Sequence, residues 1–279
     1  MPTAAPTVLL DGLVFPEGPR WREGKLWFSD MFGGEVMTVD LAGNTEVIAT
    51  VPQRPSGLGF LPDGRLLIVS MGDRRLLRLD PDDLRPVADL TDVTGGDCND
   101  MLVDARGRAY IGNFGYDVSA GEQPRPTNLV IVTPDGDVRV VASDLVFPNG
   151  MVITPDGKTL IVAETFANRL TAFDVAADGT LSKRRVFAEL GSATPDGICL
   201  DAEGAVWVAS FQTGEFLRVY ETHSIRDRIV VPGKSAVACM LGGDDRRTLF
   251  LLTAEGGPGP ESKGYIETVR VDVPGAGWP

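Results

Sequence analysis

Six times along this chain a few alternating residues lead into a tight polar turn, mostly Asp or Glu with Gly, and then into a short apolar strand. The turns are Arg22-Glu23-Gly24, Pro62-Asp63-Gly64, Ala105-Arg106-Gly107, Pro155-Asp156-Gly157, Ala202-Glu203-Gly204 and Gly243-Asp244-Asp245. The strands after them read KLWFSD, RLLIVS, RAYIGN, KTLIVAE, AVWVAS and RRTLFLLT, rich in β-branched, aromatic and leucine residues. Markers at Gly24, Gly64, Gly107, Gly157, Gly204 and Asp245 are 40, 43, 50, 47 and 41 residues apart. That is the period of a four-stranded propeller blade.

Each hairpin is followed by two more alternating stretches, such as 169–174 and 185–188, which complete a blade. The expected fold is all-β: a single six-bladed β-propeller domain over residues 1–279, built of four-stranded blades. The β-like stretch Thr7 to Val14 precedes the first hairpin and is expected to supply the outer strand that closes the ring with the last repeat. The 33 glycines and 20 prolines suit a chain that turns this often, and no long amphipathic helix is legible.

Net charge is −13, which disfavours nucleic acid and anionic lipid as partners, since both are bound through basic patches. The N-terminus lacks the pattern of a signal peptide and no apolar run is long enough to span a bilayer. Cys98, Cys199 and Cys239 match neither a zinc cluster nor a redox CxxC motif. The sequence therefore predicts a cytoplasmic protein with free thiols, no nucleic-acid or membrane partner and a small-molecule ligand; its oligomeric state is unknown.

Because repeats are structurally equivalent, residues at one offset should point at one place. Eight residues before the marker lie Ser56, Asn99, Asn149, Asp196 and Val237, and Glu17 lies seven before its own in a repeat one residue shorter. These positions open the innermost strands, so Glu17, Asn99, Asn149 and Asp196 should converge on the axis as a cage of oxygens. Such a cage suits a hard divalent cation: Ca²⁺ is favoured, with Mg²⁺, Mn²⁺ or Zn²⁺ as alternatives, although Zn²⁺ prefers His or Cys and the chain has one His. The loops after the second strands should overhang this site. They carry Met31 and Phe32, Met71, Phe114 and Tyr116, Phe166 and Phe211, which together predict apolar walls around a polar floor. Residues 113–128 form the longest of these loops and are a candidate lid.

These residues resemble the SMP-30/gluconolactonase/LRE family, calcium-dependent six-bladed lactonases that include diisopropylfluorophosphatase-like members. The resemblance covers nearly the whole chain. It rests on Phe15-Pro16-Glu17-Gly18-Pro19 with Trp21, Asn99-Asp100 with Asp104 and Gly107, Pro148-Asn149-Gly150, and Pro195-Asp196-Gly197-Ile198-Cys199 with Asp201 and Trp207. It implies that Glu17, Asn149 and Asp196 bind the metal, that Asn99 contacts metal or substrate, and that Asp196 is the catalytic acid-base or nucleophilic residue. Met31, Phe114, Tyr116, Phe166 and Phe211 are then the substrate-binding candidates.

The activity expected is a metal-dependent hydrolase that opens a lactone or related ester by polarising its carbonyl for attack by water. A phosphotriesterase-like or promiscuous hydrolase at the same metal and a non-catalytic, metal-stabilised binding propeller are the alternatives. Where sugar lactonases often carry Arg two residues before the Asn, this chain has Asp97, which points to a less polar lactone or ester. His223 is expected at an edge of the fifth blade rather than at the metal. Cys98, beside Asn99, is read as a buried neutral thiol, and Cys199 and Cys239 as small core residues.

Overall fold

The repeated turns form for a local reason. In blades 3 and 5 an aspartate opens each turn and its carboxylate accepts two turn N–H groups: Asp104 Oδ1 from Arg106 and Arg108 at 2.9 and 3.0 Å, Asp201 Oδ1 from Glu203 and Ala205 at 2.9 and 3.0 Å. The marker glycines then take positive φ, from 70° at Gly157 to 91° at Gly64. A residue with a Cβ adopts that conformation only with strain, which is why the hairpin signal is so regular in sequence.

The computed structural model describes residues 5–81, 83–118, 120–221 and 225–277. Its 24 strands form six antiparallel four-stranded sheets. Each sheet begins with an inner strand: Pro16–Arg22, Pro55–Phe60, Cys98–Val103, Pro148–Ile153, Pro195–Leu200 and Ser235–Gly242. Every inner strand packs against that of the next sheet, and the sixth packs against the first. The result is a closed six-bladed β-propeller, as the repeat predicts. Apart from one 3₁₀ turn at Thr165–Ala167 the described residues contain no helix, and none that is long and apolar enough to cross a membrane.

Burial falls off from the axis outward. The inner strands of blades 3, 4 and 5 are buried at every position, whereas the outer strand Thr45–Thr50 of blade 1 is mostly exposed. Apolar side chains of the inner and second strands fill the spaces between blades, which is the main favourable term holding the sheets together.

Closure follows the expected route. The strand Thr7–Leu13 pairs antiparallel with Lys263–Arg270, placing Thr7 opposite Thr268 and Leu10 opposite Ile266, so the two chain ends share one sheet. Across the same seam the Trp21 and Phe250 rings stack with centroids 5.2 Å apart and planes 25° apart. Phe250 is fully buried. Phe250→Ala should therefore destabilise the ring by about 3–5 kcal/mol in guanidinium unfolding, while Val47→Ala, at a side chain 50% exposed, should change stability by less than about 0.5 kcal/mol.

Candidate functional site

All six inner strands break register at the position that the sequence singled out. The irregularities fall between Glu17 and Arg20, Pro55 and Leu58, Cys98 and Met101, Pro148 and Met151, Pro195 and Ile198, and Ala236 and Ala238. A bulge of this kind re-aims a side chain away from the regular pleat. The glycines that follow are strand residues rather than turn residues, and close approach requires them. A Cβ on Gly150 would lie 2.6 Å from Asp196 O, and one on Gly57 would lie 2.3 Å from Met101 N.

Glu17, Asn99, Asn149 and Asp196 are each at most 6% exposed. Their convergence shows in their electrostatics. Burial, then the negative charges of Asp196 and Asp100, push the Glu17 carboxyl well above its ordinary 4.5. Burial and then Asp100 raise Asp196 well above 3.8, with a neighbouring Asn149 amide offsetting this only in part. Carboxyls from blades 1, 3 and 5 thus share one buried space.

Asn149 Nδ2 donates outward to Thr165 Oγ1 at 3.3 Å, and that hydroxyl donates to Pro195 O at 2.8 Å. Asn149 Oδ1 and Asp196 Oδ1 are buried without a hydrogen-bond partner, and so is Ser56 Oγ at the equivalent position of blade 2. Buried oxygens are rarely left unpaired, because the lost hydration is not recovered. These donors fit a hard dication: two crowded carboxylates, an amide oxygen aimed inward and no imidazole or thiolate. Among the described residues no group of three His, Cys, Asp or Glu side chains has metal-holding geometry, so a cation here would need amide oxygen as well as carboxylate. Ser56 was set aside in the sequence as an exception to the acid and amide pattern. Its unpaired hydroxyl is the signal that its residue type did not give.

Below the ring, Arg20 of blade 1 is buried against blade 3. It reaches Asp100 Oδ1 at 3.4 Å and donates to Met101 O and, at 2.7 Å, to Pro19 O. Asp100 stands where blades 1, 2, 4 and 5 have glycine, and Arg20 is its counter-charge.

The polar residues that end the second strands have a common task. Asp30 accepts the N–H groups of Val14 at 3.1 Å and Phe15 at 2.7 Å, Asn113 that of Gly95 at 3.2 Å, Glu164 that of Val146 at 2.8 Å, and Ser210 Oγ that of Thr194 at 3.1 Å. Each ties down the segment that leads into an inner strand at the channel mouth.

The overhanging aromatics divide into two groups. Phe114 stacks on Phe147 at 4.4 Å, with Tyr116 and Phe166 around the same ring at 6.1 and 4.9 Å. On the other side Phe15 meets Phe32 at 5.9 Å and Phe211 at 6.4 Å. Met31 and Met71 are buried in one apolar cluster with Phe15 and Val237. Of the centres of both groups, Phe15 stands out in the sequence only as part of the Phe15–Pro19 motif and Phe147 not at all. Phe147 has φ +54°, which costs a bulky residue about 1–2 kcal/mol and is invisible to residue type. Asp97 also has a partner that its own motif does not show: Arg54 Nη2 of blade 2, at 2.5 Å. The Cys98 thiol is pushed up to about 12 by burial, which leaves it neutral and unsuited to be a nucleophile. Cys199 and Cys239 are buried with their sulfurs 3.7 Å apart. His223 lies outside the described residues.

These features define a closed six-bladed propeller with buried carboxyl and amide oxygens gathered on its inner strands and two groups of aromatic side chains on its loops. The chain belongs to the SMP-30/Gluconolactonase/LRE-like region family, which it matches over residues 15–255. It is 30% identical to the pentonolactonase XacC of Haloferax volcanii, over 93% of this chain and 88% of that one. It is 26% identical to a 6-deoxy-6-sulfogluconolactonase of Pseudomonas putida, over 95% and 94%. The crystal structure of a calcium-binding protein, regucalcin, from Agrobacterium tumefaciens superposes with a TM-score of 0.81 at 27% identity, covering 98% of this chain and 95% of that one.

The raised carboxyls make the seat pH-sensitive when no cation fills it. Folded Glu17 and Asp196 keep their protons at pH values where the unfolded chain, titrating near the ordinary 4.5 and 3.8, has released them. Their contribution to stability is therefore lost as pH rises above those values. In EDTA, Glu17→Gln should melt above the wild type at pH 8, and the gap should close toward pH 4. Saturating Ca²⁺ should reverse the order at pH 8, since only the carboxylate holds the ion well. A differential scanning fluorimetry grid of pH against metal checks both.

Proposed function

We propose that this protein is a metal-dependent lactonase whose ion sits on Glu17, Asn149 and Asp196, with Asn99 at the edge of the same seat. The observation that carries the reading is the pair of buried, unpartnered oxygens, Asn149 Oδ1 and Asp196 Oδ1, beside the raised Glu17 carboxyl in an aromatic-rimmed channel. The names of the two lactonase relatives support the reaction, and the name of the regucalcin structure supports calcium.

A dication in this seat supplies electrophilic pull on the lactone carbonyl. Asn99 donates through Nδ2 to Pro148 O at 3.4 Å, which orients its amide at the substrate edge of the seat. Asp196 accepts a proton from the attacking water as the new C–O bond forms at the carbonyl carbon. The ring C–O bond then breaks, and Asp196 returns the proton to the departing alkoxide, leaving the open-chain hydroxy acid. Phe114, Phe147, Phe166 and Phe211 shield the seat and hold the carbon skeleton of the substrate; the buried Phe15, Tyr116 and Met31 back these walls. Burial of the site keeps bulk water from screening these charges.

The test is a panel of lactones and esters assayed after EDTA treatment and after readdition of Ca²⁺, Mg²⁺, Mn²⁺ or Zn²⁺. Lactone opening should disappear with EDTA and return best with Ca²⁺. Asp196→Ala should lower kcat/KM by about 10³-fold or more while leaving the far-UV circular dichroism unchanged. No turnover in any metal-loaded form would sink the hydrolase reading and favour a binding propeller.

A further inference from the structure

Two residues before each ring position lies a second level of side chains: Phe15, Arg54, Asp97, Phe147, Thr194 and Ser235 in blades 1 to 6. Their common offset places them at one level of the repeat, a collar beside the ring, and two contacts locate its arcs. Arg54 and Asp97 meet at 2.5 Å across the boundary between blades 2 and 3. Phe15 of blade 1 comes within 6.4 Å of Phe211 on the far side of blade 6. The polar pair therefore fills one arc of the collar, flanked by Phe15 on one side and Phe147 on the other.

We propose that the Arg54–Asp97 pair is the specificity element of this site and reads adjacent hydroxyl groups on the substrate, an inference that rests on the lactonase reading. Among the described residues Arg54 makes one side-chain hydrogen bond, through Nη2 to Asp97 Oδ2. Its remaining N–H groups and the second Asp97 oxygen have no partner there. Both side chains are about one-third exposed, 36% and 33%, so they are reachable from the channel mouth.

The pair presents a donor and an acceptor side by side with no net charge. A hydroxyl is both donor and acceptor, so neighbouring hydroxyls match the pair. A carboxylate or phosphate only accepts and would face the Asp97 charge. A bare hydrocarbon lactone would cover these polar groups without satisfying them, which a buried or half-buried site penalises strongly. Phe147, which is half-buried, offers an apolar face to the C–H side of the same ring. Arg54 is also held with φ +68°, where glycine would sit without strain, so its place in the collar is kept against a backbone preference.

The pair changes what Asp97 implies. Read alone, Asp97 in place of an arginine suggests a less polar substrate. Paired with Arg54 it restores a guanidinium to the mouth of the channel, delivered from the neighbouring blade.

The experiment compares glucono-δ-lactone with unsubstituted δ-valerolactone on the Ca²⁺-loaded wild type, Arg54→Met, Asp97→Asn and the double variant, with Ca²⁺ affinity measured by calorimetry. Wild type should prefer the hydroxylated lactone. Each single variant should lose about tenfold or more in kcat/KM on it, mainly through KM, and change less than about threefold on δ-valerolactone. The double variant should lose less than the product of the singles, because both act on one contact. Ca²⁺ affinity and melting temperature should be unchanged, which separates recognition from folding and metal binding. Equal losses on both lactones, or no loss on either, with an active wild type, would overturn the role of the pair alone. A wild type that opens no lactone would overturn the lactonase reading and this inference with it.

Discussion

Six inner strands converge on one axis, and those of blades 1, 2, 4 and 5 approach the backbone of the next more closely than a side chain allows. Glycine after the ring residue makes this possible: Gly150 lies against Asp196 O and Ile198 N, and Gly197 against Ala238. The ring residues are carried on this tight wall of backbone, and the polar atoms of Glu17, Asn99, Asn149 and Asp196 are buried with it. The register breaks then turn those side chains inward. Packing of the strands and exposure of unsatisfied oxygen at the axis are one structural event, and the chemistry follows from the packing.

The charge that collects there is balanced on two levels. Below the ring Arg20 crosses from blade 1 to Asp100 in blade 3, a buried pair with only the backbone carbonyls of Pro19 and Met101 as further acceptors. At the ring burial drives the carboxyls of Glu17 and Asp196 well toward the neutral form, with Arg20 offsetting this at Glu17 only in part; burial also raises Asp100, in spite of the guanidinium beside it. A dication at that level would supply the missing positive charge and restore both to carboxylates. Asp100 has the Arg20 guanidinium within 3.4 Å, whereas full neutralisation of the acids above it would need a cation from outside the chain.

What could be read from the sequence divides along locality. The six turns and the strands after them were legible because a turn needs glycine at a fixed place and a strand needs a period of two. The ring residues were legible because equivalence between repeats converts an offset into a direction. Closure by Thr7–Leu13 was legible because a β-like stretch stood outside the repeat. Arg54 and Asp97 lie 43 positions apart and meet only because blades 2 and 3 are adjacent, so neither motif announces the other. Phe147 sits in the centre of its aromatic group through a left-handed backbone conformation that residue type does not encode. Applying the same offset argument one step earlier in each repeat would have found the whole collar. The strand-end residues Asp30, Asn113, Glu164 and Ser210 were visible as letters, but their acceptor role depends on how the preceding segment folds back over the strand.

A propeller built from equal repeats would have a symmetric channel with no preferred place for a reaction. This chain breaks the symmetry separately at each level. In the ring the acid and amide residues proposed to hold the ion belong to blades 1, 4 and 5, while blade 2 contributes a hydroxyl and blade 6 a valine. In the collar the charged pair belongs to blades 2 and 3. The two asymmetries are offset around the axis, so under the proposed function a small ring-shaped molecule lying across the mouth would meet them with different parts of itself: its carbonyl over the seat, its substituents against the pair. The chemistry would then rest on one position of the repeated strand and the selection of the molecule on another, which is how one scaffold could serve several substrates.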